Sequence, residues 1–349
     1  MATCDSGPMF LKAINCEGET KNASFIANLL DECIREIGPQ NVVQVITDNA
    51  SACKAAGQII EAKYSHIFWT PCVVHTLNLA LKNICTPKAS PNNDVWGQCI
   101  WISDVADECW AVKNYIMNHQ MRLAMFNHHS KLKFLSIADT RFASIIVMMR
   151  RYREIKVELQ RMVVSEEWDA YQEDNVEKAK CIKEKILDDV LWSKIDYILS
   201  FTYPIYDMLR KCDTDMPCLH LVYEWWDSMI GDVKVAIYKK EGKQLYEDSE
   251  FFNAVNEVLL QRWTKSNTPL HCLAHSLNPR YYTTEWLVPN RVAPHQDQGI
   301  TLQRQKCFER LFPNDLDRMH AREEYAAFSG GIDHFSNADS LIDRGRMQS

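Results

Sequence analysis

Asp48 is the acidic residue whose position gives the most chemical information. It follows the β-branched run Val42 to Thr47, inside Ile46-Thr47-Asp48-Asn49-Ala50, and ligand and metal sites collect at the carboxyl ends of strands in α/β sheets. A magnesium-dependent phosphoryl-transfer site needs several carboxylates around one or two ions, so Asp48 would need partner acids. The alternative, which position alone favours, is an aspartate that accepts the free amide hydrogens of the following helix.

Cysteine and histidine form two close pairs that could bind a metal. Cys72 and His75 are three residues apart at the start of a predicted helix, so both would lie on one helical face. His271 and His275 would share a face in the same way if their segment is helical, but Cys272 occupies the place of the glutamate that a zinc protease requires. Two ligands do not complete a zinc site. The favoured interpretation is therefore buried, hydrogen-bonded side chains that lock helix packing.

Lysine and arginine concentrate in three segments, of which the first is a candidate DNA contact. It contains Arg150, Arg151 and Arg153, and the others lie at 178–185 and 234–243. Aromatic residues are sparse among them, and the alternative is solvated helix faces with ion pairs worth tenths of a kcal/mol. Because the net charge is -7, any nucleic-acid site has to be a local patch. No Gly-rich phosphate loop or serine elbow supports nucleotide hydrolysis or acyl transfer.

The elements that must position these residues follow from hydrophobic spacing and from turn residues. In the first part of the chain strands and helices alternate, which predicts a small α/β layer. The predicted elements are a strand at 9–15, a helix from about 20 to 37, a strand at 42–47, a helix at 51–64, a strand at 66–70 and a helix that begins at Pro71.

Beyond a loop predicted at 86–93, the strand signal almost vanishes and helical spacing takes over. Helices are predicted over 95–118, 141–164, 166–174, 176–190, 192–211, 217–240, 247–264 and 299–311. No repeat of fixed period is present, which argues against a solenoid. Residues 329–349, rich in Ser, Gly and Asp, are predicted to form a disordered tail.

Length and composition limit the classes of protein that this chain can represent. Its 349 residues, 46% hydrophobic and 24% charged, suit a globular protein of about two domains. The longest apolar stretches are much shorter than the ~20 residues that cross a bilayer, and no leader precedes them, so a membrane or secreted protein is not expected. The 13 cysteines have no repeated spacing, which predicts a reducing compartment without disulfides.

Several segments together resemble transposases of the plant hAT (hobo/Activator-like) superfamily. The resemblance is strongest over Val43 to Cys85, with Ile-Thr-Asp-Asn-Ala and then Phe-Trp-Thr-Pro-Cys-Val-Val-His-Thr-Leu-Asn-Leu-Ala-Leu-Lys, and it continues through 138–144 and 269–282. It implies a ribonuclease-H-like fold interrupted by a large helical insertion. It also implies chemistry in which a metal-binding Asp, Asp, Glu triad cuts and joins DNA.

The resemblance assigns roles to individual residues. Asp48 corresponds to the second acid of the triad and would bind Mg²⁺ in an active enzyme, whereas Cys72 and His75 correspond to a Cys-x-x-His feature. Arg141 and Phe142 stand where the family has Thr-Arg-Trp, whose aromatic ring could stack on an unpaired base. The other two acids of the triad are expected to lie outside this chain, so Asp48 is expected to be vestigial.

We therefore expect an α/β plus all-α protein. It would comprise a partial ribonuclease-H-like layer at 1–85, a helical insertion domain at 86–328 and the tail at 329–349. Because the family's opening strand is central to its sheet and is missing from this sequence, the sheet is expected to be incomplete or rearranged.

The favoured function is a transposase-derived remnant without catalytic activity that contacts DNA or protein. One alternative is an active, Mg²⁺-dependent nuclease in which Asp104, Asp107 or Glu108 joins Asp48, and another is a helical protein-interaction scaffold. The expected partners are DNA and related transposase-like proteins, with no membrane and no small-molecule substrate. No cofactor is expected without activity, and the location is nuclear, as the family implies, or cytoplasmic.

Overall fold

A computed structural model describes residues 1–4, 7–89, 94–135, 143–171, 175–287 and 291–337. The chain is mostly helical, and its described strands are short and form small sheets. The first part of the chain contains β1 (Ala2–Cys4), β2 (Gly7–Met9), α1 (Ala23–Ile37), β3 (Gln44–Thr47), α2 (Ser51–Lys63), β4 (Phe68–Pro71) and α3 (Val73–Cys85).

The remainder of the described chain is helical. Its helices are α4 (Asp94–Met117), α5 (Gln120–His129), α6 (Ser144–Glu154), α7 (Lys156–Val163), α8 (Glu166–Ala170), α9 (Val176–Leu187), α10 (Asp189–Cys212), α11 (Val222–Glu241), α12 (Glu250–Ser266), α13 (Pro269–Ser276), α14 (Gln298–Leu311) and α15 (Asp315–Gly330). Short 3-10 turns lie at Pro39–Asn41, Pro279–Tyr282 and Asp333–Ser336.

The strands form two separate two-stranded sheets within the described residues. β1 and β2 pair antiparallel, whereas β3 and β4 pair parallel, with Gln44 opposite Phe68 and Thr47 opposite Pro71. Because parallel strands need a crossover, α2 connects β3 to β4 and the three elements form a βαβ unit. The ribonuclease-H-like layering of this part, and with it the incomplete sheet, stays a prediction.

Helix α1 ends at Ile37, as the sequence predicts, and begins at Ala23, about three residues later than predicted. The side chain of Asn22 accepts a hydrogen bond from the Phe25 amide at 2.9 Å, which satisfies one of the free donors at the helix start. Gly38, at φ 92°, donates its amide to the Ile34 carbonyl at 3.0 Å and ends the helix in a conformation that glycine adopts readily. Ile34 then packs with buried Ile60 and Ile67, which joins α1 to the βαβ unit.

The chain forms two compact units. One comprises residues 1–76, 212–227 and those from 263 onward, and the other comprises 77–211 and 228–262. The boundaries expected at residues 85 and 328 do not coincide with this division.

Contacts of β4 explain why later helices belong to the first unit. Phe68 lies in one apolar cluster with Leu270 of α13, Phe308 of α14 and Tyr325 of α15. Of these three helices, hydrophobic spacing predicts α14 but not α13 or α15. Local spacing also cannot show which helices pack on a strand that lies about 200 residues earlier in the chain.

The predicted strand at 9–15 is wrong. Only Met9 of that range belongs to a strand, residues 10–16 have no regular secondary structure, and Phe10 and Ile14 are exposed. Alternating side chains are not sufficient, because a strand also needs a neighbour for its main-chain hydrogen bonds.

Other predicted elements differ in extent. The helix predicted at 141–164 is divided into α6 and α7 at Ile155. Of the predicted tail, Phe335 contacts the ring of Phe328 with a centroid separation of 5.5 Å, and residues 338–349 lie outside the described residues.

Candidate functional site

The candidate site lies where β3 and β4 end side by side. Thr47 is opposite Pro71, and the Thr47 carbonyl accepts a hydrogen bond from the Cys72 amide at 2.8 Å. Asp48 and Cys72 therefore follow two paired strand positions and leave the same sheet edge. The indole of Trp69 donates to the Thr47 hydroxyl at 2.9 Å, which holds this end of β3 in place.

The Asp48 carboxylate is exposed but is bonded locally. Its Oδ1 accepts the Ala50 amide hydrogen at 2.9 Å, forming a turn directly before α2. This bond lowers the pKa of Asp48, as do a hydrogen bond from the Cys53 thiol and the nearby His75, against the opposing effect of burial. Burial is the main cause that raises the pKa of Cys53 to about 11, and the hydrogen bond and charge of Asp48 add to it. Cys53 is therefore a thiol at neutral pH. The Asp48 carboxylate thus closes the turn that leads into α2, but it accepts no amide hydrogen of the helix itself, so it does not act as the predicted helix cap.

A polar chain connects the residue after Asp48 to α3. The side-chain amide of Asn49 donates to the Thr76 hydroxyl at 2.8 Å, and that hydroxyl lies 3.0 Å from the Cys72 carbonyl and 3.2 Å from the Ser266 hydroxyl. Asn49 Oδ1 is buried and has no hydrogen-bond partner among the residues that the structure describes. Thr76 is fully buried. This series of hydrogen bonds therefore positions the end of β3 and has little access to solvent.

The metal ligands expected from sequence are near this edge but do not form a larger set. Cys72 and His75 are half-buried. Within the described residues, the cluster of three potential ligands is His128, His129 and Glu167, far along the sequence from Asp48. The groups that shift the pKa of Asp48 include no second carboxylate. Metal binding by Asp48, Cys72 or His75 therefore stays a prediction.

His271 and His275 lie on α13, which is helical as their pairing required. Burial lowers the pKa of both side chains to about 4, so both are neutral at pH 7. His271 accepts the Thr268 amide in a capping arrangement, and His275 stacks on Tyr281 at a centroid separation of 4.0 Å. These contacts favour the packing interpretation.

The candidate DNA-binding arginines of α6 have partners in the protein. Arg151 pairs with Glu154 at 2.9 Å and donates to the Lys133 carbonyl at 2.7 Å. Arg153 pairs with Asp196, and the Arg150 guanidinium lies 5.0 Å from the centre of the Tyr206 ring. Arg141 and Phe142 lie outside the described residues.

A cavity that sequence patterns do not indicate lies among α3, α4 and the start of α6. Its volume is about 420 Å³. Apolar atoms dominate its lining, and the polar groups include those of Asn78, Lys82 and Asp107. Trp110 lines it and is 50% exposed. Ala143 forms part of the cavity wall, and its amide donates a hydrogen bond to Asn78 Oδ1 at 2.8 Å. It directly follows Phe142 in the sequence.

Residues 1–125 match the family described as domain of unknown function DUF659. The family is associated with hAT-type transposase-like proteins. The match includes the βαβ unit, Asp48 and all of α4. No curated protein matches the chain. No described helix is long and apolar enough to cross a membrane.

Proposed function

We propose that this chain is a hAT transposase-derived protein of plant type that binds DNA without cutting it. The match of residues 1–125 to DUF659 supports the transposase relationship. Two features support a partial ribonuclease-H-like core with a helical insertion. Asp48 lies at the end of β3, and a small α/β part is followed along the chain by many helices. The proposal implies a nuclear protein.

The observation that carries the loss of catalysis is the local use of the Asp48 carboxylate. It accepts hydrogen bonds from Ala50 and Cys53 as part of the turn before α2. Mg²⁺ takes oxygen ligands in near-octahedral geometry, whereas the neighbouring side chains that act on Asp48 are a thiol and an imidazole. The residues at this edge therefore do not fit a magnesium centre, and we derive no reaction through one.

The acids considered as replacements belong to the other compact unit. Glu108 forms an ion pair with Lys185 at 3.2 Å, and Asp104 and Asp107 are exposed on α4. The contacts and exposure of these three acids add no support to the alternative in which one of them joins Asp48 in a nuclease site.

A cleavage assay tests the catalytic part of the proposal. Purified full-length protein is incubated with supercoiled and linear DNA in Mg²⁺ or Mn²⁺, beside Asp48→Ala. We expect neither protein to cut. Metal-dependent cutting that is lost in Asp48→Ala would establish the nuclease alternative and overturn the proposal.

The cavity beside α6 supports the DNA-binding part. A volume of about 420 Å³ lies within the range of roughly 300–1,000 Å³ typical of ligand sites. The half-exposed Trp110 offers a stacking face for an unpaired base, and Lys82 offers a cation for its phosphate. Asn78 and Asp107 add hydrogen-bonding groups.

Fluorescence anisotropy with labelled single-stranded and duplex DNA tests this part. Trp110→Ala is expected to weaken single-strand binding by about 1–3 kcal/mol, the usual value for one stacked base. Trp96→Ala is the matched control, because Trp96 is also exposed on α4 but is not among the residues that line the cavity.

The arginines of α6 are tested together. Replacing Arg150, Arg151 and Arg153 by Ala should weaken duplex binding and reduce its salt dependence, since phosphate contacts release counterions. If the wild-type protein shows no salt-dependent binding to either DNA, the scaffold alternative replaces DNA binding.

A further inference from the structure

Two histidines and one glutamate converge in the second compact unit, at a place without a role in the proposed function. His128 and His129 are the last residues of α5, and Glu167 lies in the first turn of α8. One ligand atom from each side chain lies within 4.8 Å of the others. His128 Nδ1 and Glu167 Oε2 are 3.3 Å apart, and the two imidazole ring centres are 5.3 Å apart.

The distance between His128 and Glu167 suits two ligands of a small tetrahedral metal ion. Nitrogen and oxygen ligands of zinc lie about 2.0–2.2 Å from the ion, so two of them at a tetrahedral angle are about 3.4 Å apart. The separation between His128 Nδ1 and Glu167 Oε2 is 3.3 Å. We propose that His128, His129 and Glu167 bind one divalent transition-metal ion of the zinc class.

The chemistry of the three donors narrows the choice of ion. Two imidazoles and one carboxylate suit Zn²⁺, Cu²⁺ or Ni²⁺, whereas Mg²⁺ and Ca²⁺ take oxygen ligands only. Three protein ligands leave one position of a tetrahedral ion open to water. His128 and Glu167 are exposed and His129 is half-buried, so an ion can reach the site from solvent.

A simple ion pair is the competing explanation of this cluster. It accounts for the contact between His128 and Glu167 but has no use for His129, whereas a metal ion would also bind His129, whose ligand atom lies within 4.8 Å of both. The position at the end of α5 also favours a cation, because the carboxyl end of a helix carries partial negative charge.

Binding would link α5 to α8 through the ion. A bound ion that the unfolded chain holds less well stabilises the folded state, so the melting temperature should rise with metal concentration.

The test uses the full-length protein, freed of metal by a chelator, and Zn²⁺ in competition with a fluorescent zinc indicator at pH 7. We expect one Zn²⁺ per chain at this site. His128→Ala, His129→Ala and Glu167→Gln should each weaken that binding by at least about tenfold, because even loss of a residue that only supports a ligand costs 10- to 100-fold.

Controls separate this site from other donors. His119→Ala removes a nearby histidine that contacts Tyr171 and should leave binding unchanged. Cys72→Ala removes one candidate ligand of the Cys72 and His75 pair and should also leave Zn²⁺ binding at this site unchanged. Zinc X-ray absorption should show nitrogen and oxygen ligands without sulfur.

Three results would overturn the proposal. They are the absence of Zn²⁺ binding, binding that survives in both His128→Ala and Glu167→Gln, and a sulfur-containing ligand shell. A cysteine-bound ion would be detected by the last of these, because the chain contains 13 cysteines.

Discussion

Arg310 of α14 lies over the ring of Phe68 in β4, with the guanidinium carbon 3.9 Å from the ring centre. The same guanidinium donates to the carbonyls of Ser65 at 2.7 Å and Ile67 at 2.6 Å, and it pairs with Glu61 at 2.7 Å. One side chain thus satisfies the turn between α2 and β4 and joins it to a helix more than 240 residues later.

Arg310→Ala should therefore destabilise the first compact unit. Hydrogen bonds to a charged group contribute about 1.5–3 kcal/mol, and the carbonyls of Ser65 and Ile67 would lose their donor. We expect a loss of about 2–4 kcal/mol in the free energy of unfolding, measured by urea denaturation.

Arg322→Ala provides the comparison for this measurement. Arg322 is exposed on α15, and such surface substitutions change stability by about 0.5 kcal/mol or less. An equal effect of the two substitutions would contradict the structural role of Arg310.

The contact between Arg310 and Phe68 is of a kind that the sequence alone does not predict. Apolar spacing and turn residues predict α1, β3 and α2 close to their observed bounds, because these elements depend on local preferences. No local pattern indicates that Arg310 reaches Phe68. The domain ranges expected from the order of elements consequently differ from the two compact units.

The same limit applies to the sites. The β-branched run before Asp48 predicts its position at a strand end, and Asp at such a turn favours a bond to a main-chain amide two residues later, as Asp48 makes with Ala50. His128 and Glu167 are 39 residues apart and meet because α5 contacts α7, which leads directly into α8. A His-His pair in sequence is a weak signal, because the third ligand is invisible without the fold.

His275 should make stability depend on pH. Burial lowers its pKa to about 4 in the folded protein, compared with ~6.5 in an unfolded chain. Between these values the unfolded chain binds more protons, so stability is full above pH 6.5 and falls as the pH decreases toward 4. In urea unfolding at several pH values, His275→Phe should reduce this fall and keep a ring against Tyr281.

An exposed histidine supplies the control for the pH experiment. His320→Phe, at an exposed position of α15, leaves the buried imidazoles intact and should keep the wild-type fall between pH 6.5 and 4. A pH profile of His275→Phe that is indistinguishable from wild type would show that His275 is not buried as a neutral group.

Asp48 should also make the protein less stable as the pH falls. The fold favours the neutral form of His275, whereas it favours the charged form of Asp48. Its pKa is lowered in the folded protein, first by the Ala50 amide, so its contribution is present above the unfolded pKa of ~3.9 and is lost as the pH falls further. Asp48→Asn retains an acceptor for Ala50 and should be close to wild type at pH 7. Asp48→Ala lacks the acceptor and should be less stable there.

The comparison of these two variants by thermal melting at pH 7 and pH 3 checks the assignment. The difference between Asp48→Ala and wild type should be smaller at pH 3 than at pH 7, because the contribution of the carboxylate decreases as the pH falls below the unfolded pKa. If both variants lose equal stability at pH 7, the negative charge and not the hydrogen bond is the stabilising feature.

Gly57 of α2 should tolerate no larger residue, because Trp69 of β4 occupies the space beside it. A Cβ atom at Gly57 would lie 2.2 Å from Trp69 Cγ, so the indole would have to move and would lose its bond to the Thr47 hydroxyl. Overpacking of this kind costs about 1–3 kcal/mol. We expect Gly57→Ala to lose that amount in urea unfolding, with a changed tryptophan emission spectrum.

Gly97→Ala is the matched control on another helix. A Cβ atom at Gly97 of α4 would meet nothing within 4 Å. Alanine in a helix is favoured over glycine by about 0.5–1 kcal/mol, so this substitution should stabilise the protein. Because both changes add one methyl group to a helical glycine, opposite signs would isolate the contact with Trp69. A stabilising effect of Gly57→Ala would mean that α2 does not pack on the Trp69 ring, and that the end of β3 before Asp48 is held by other contacts.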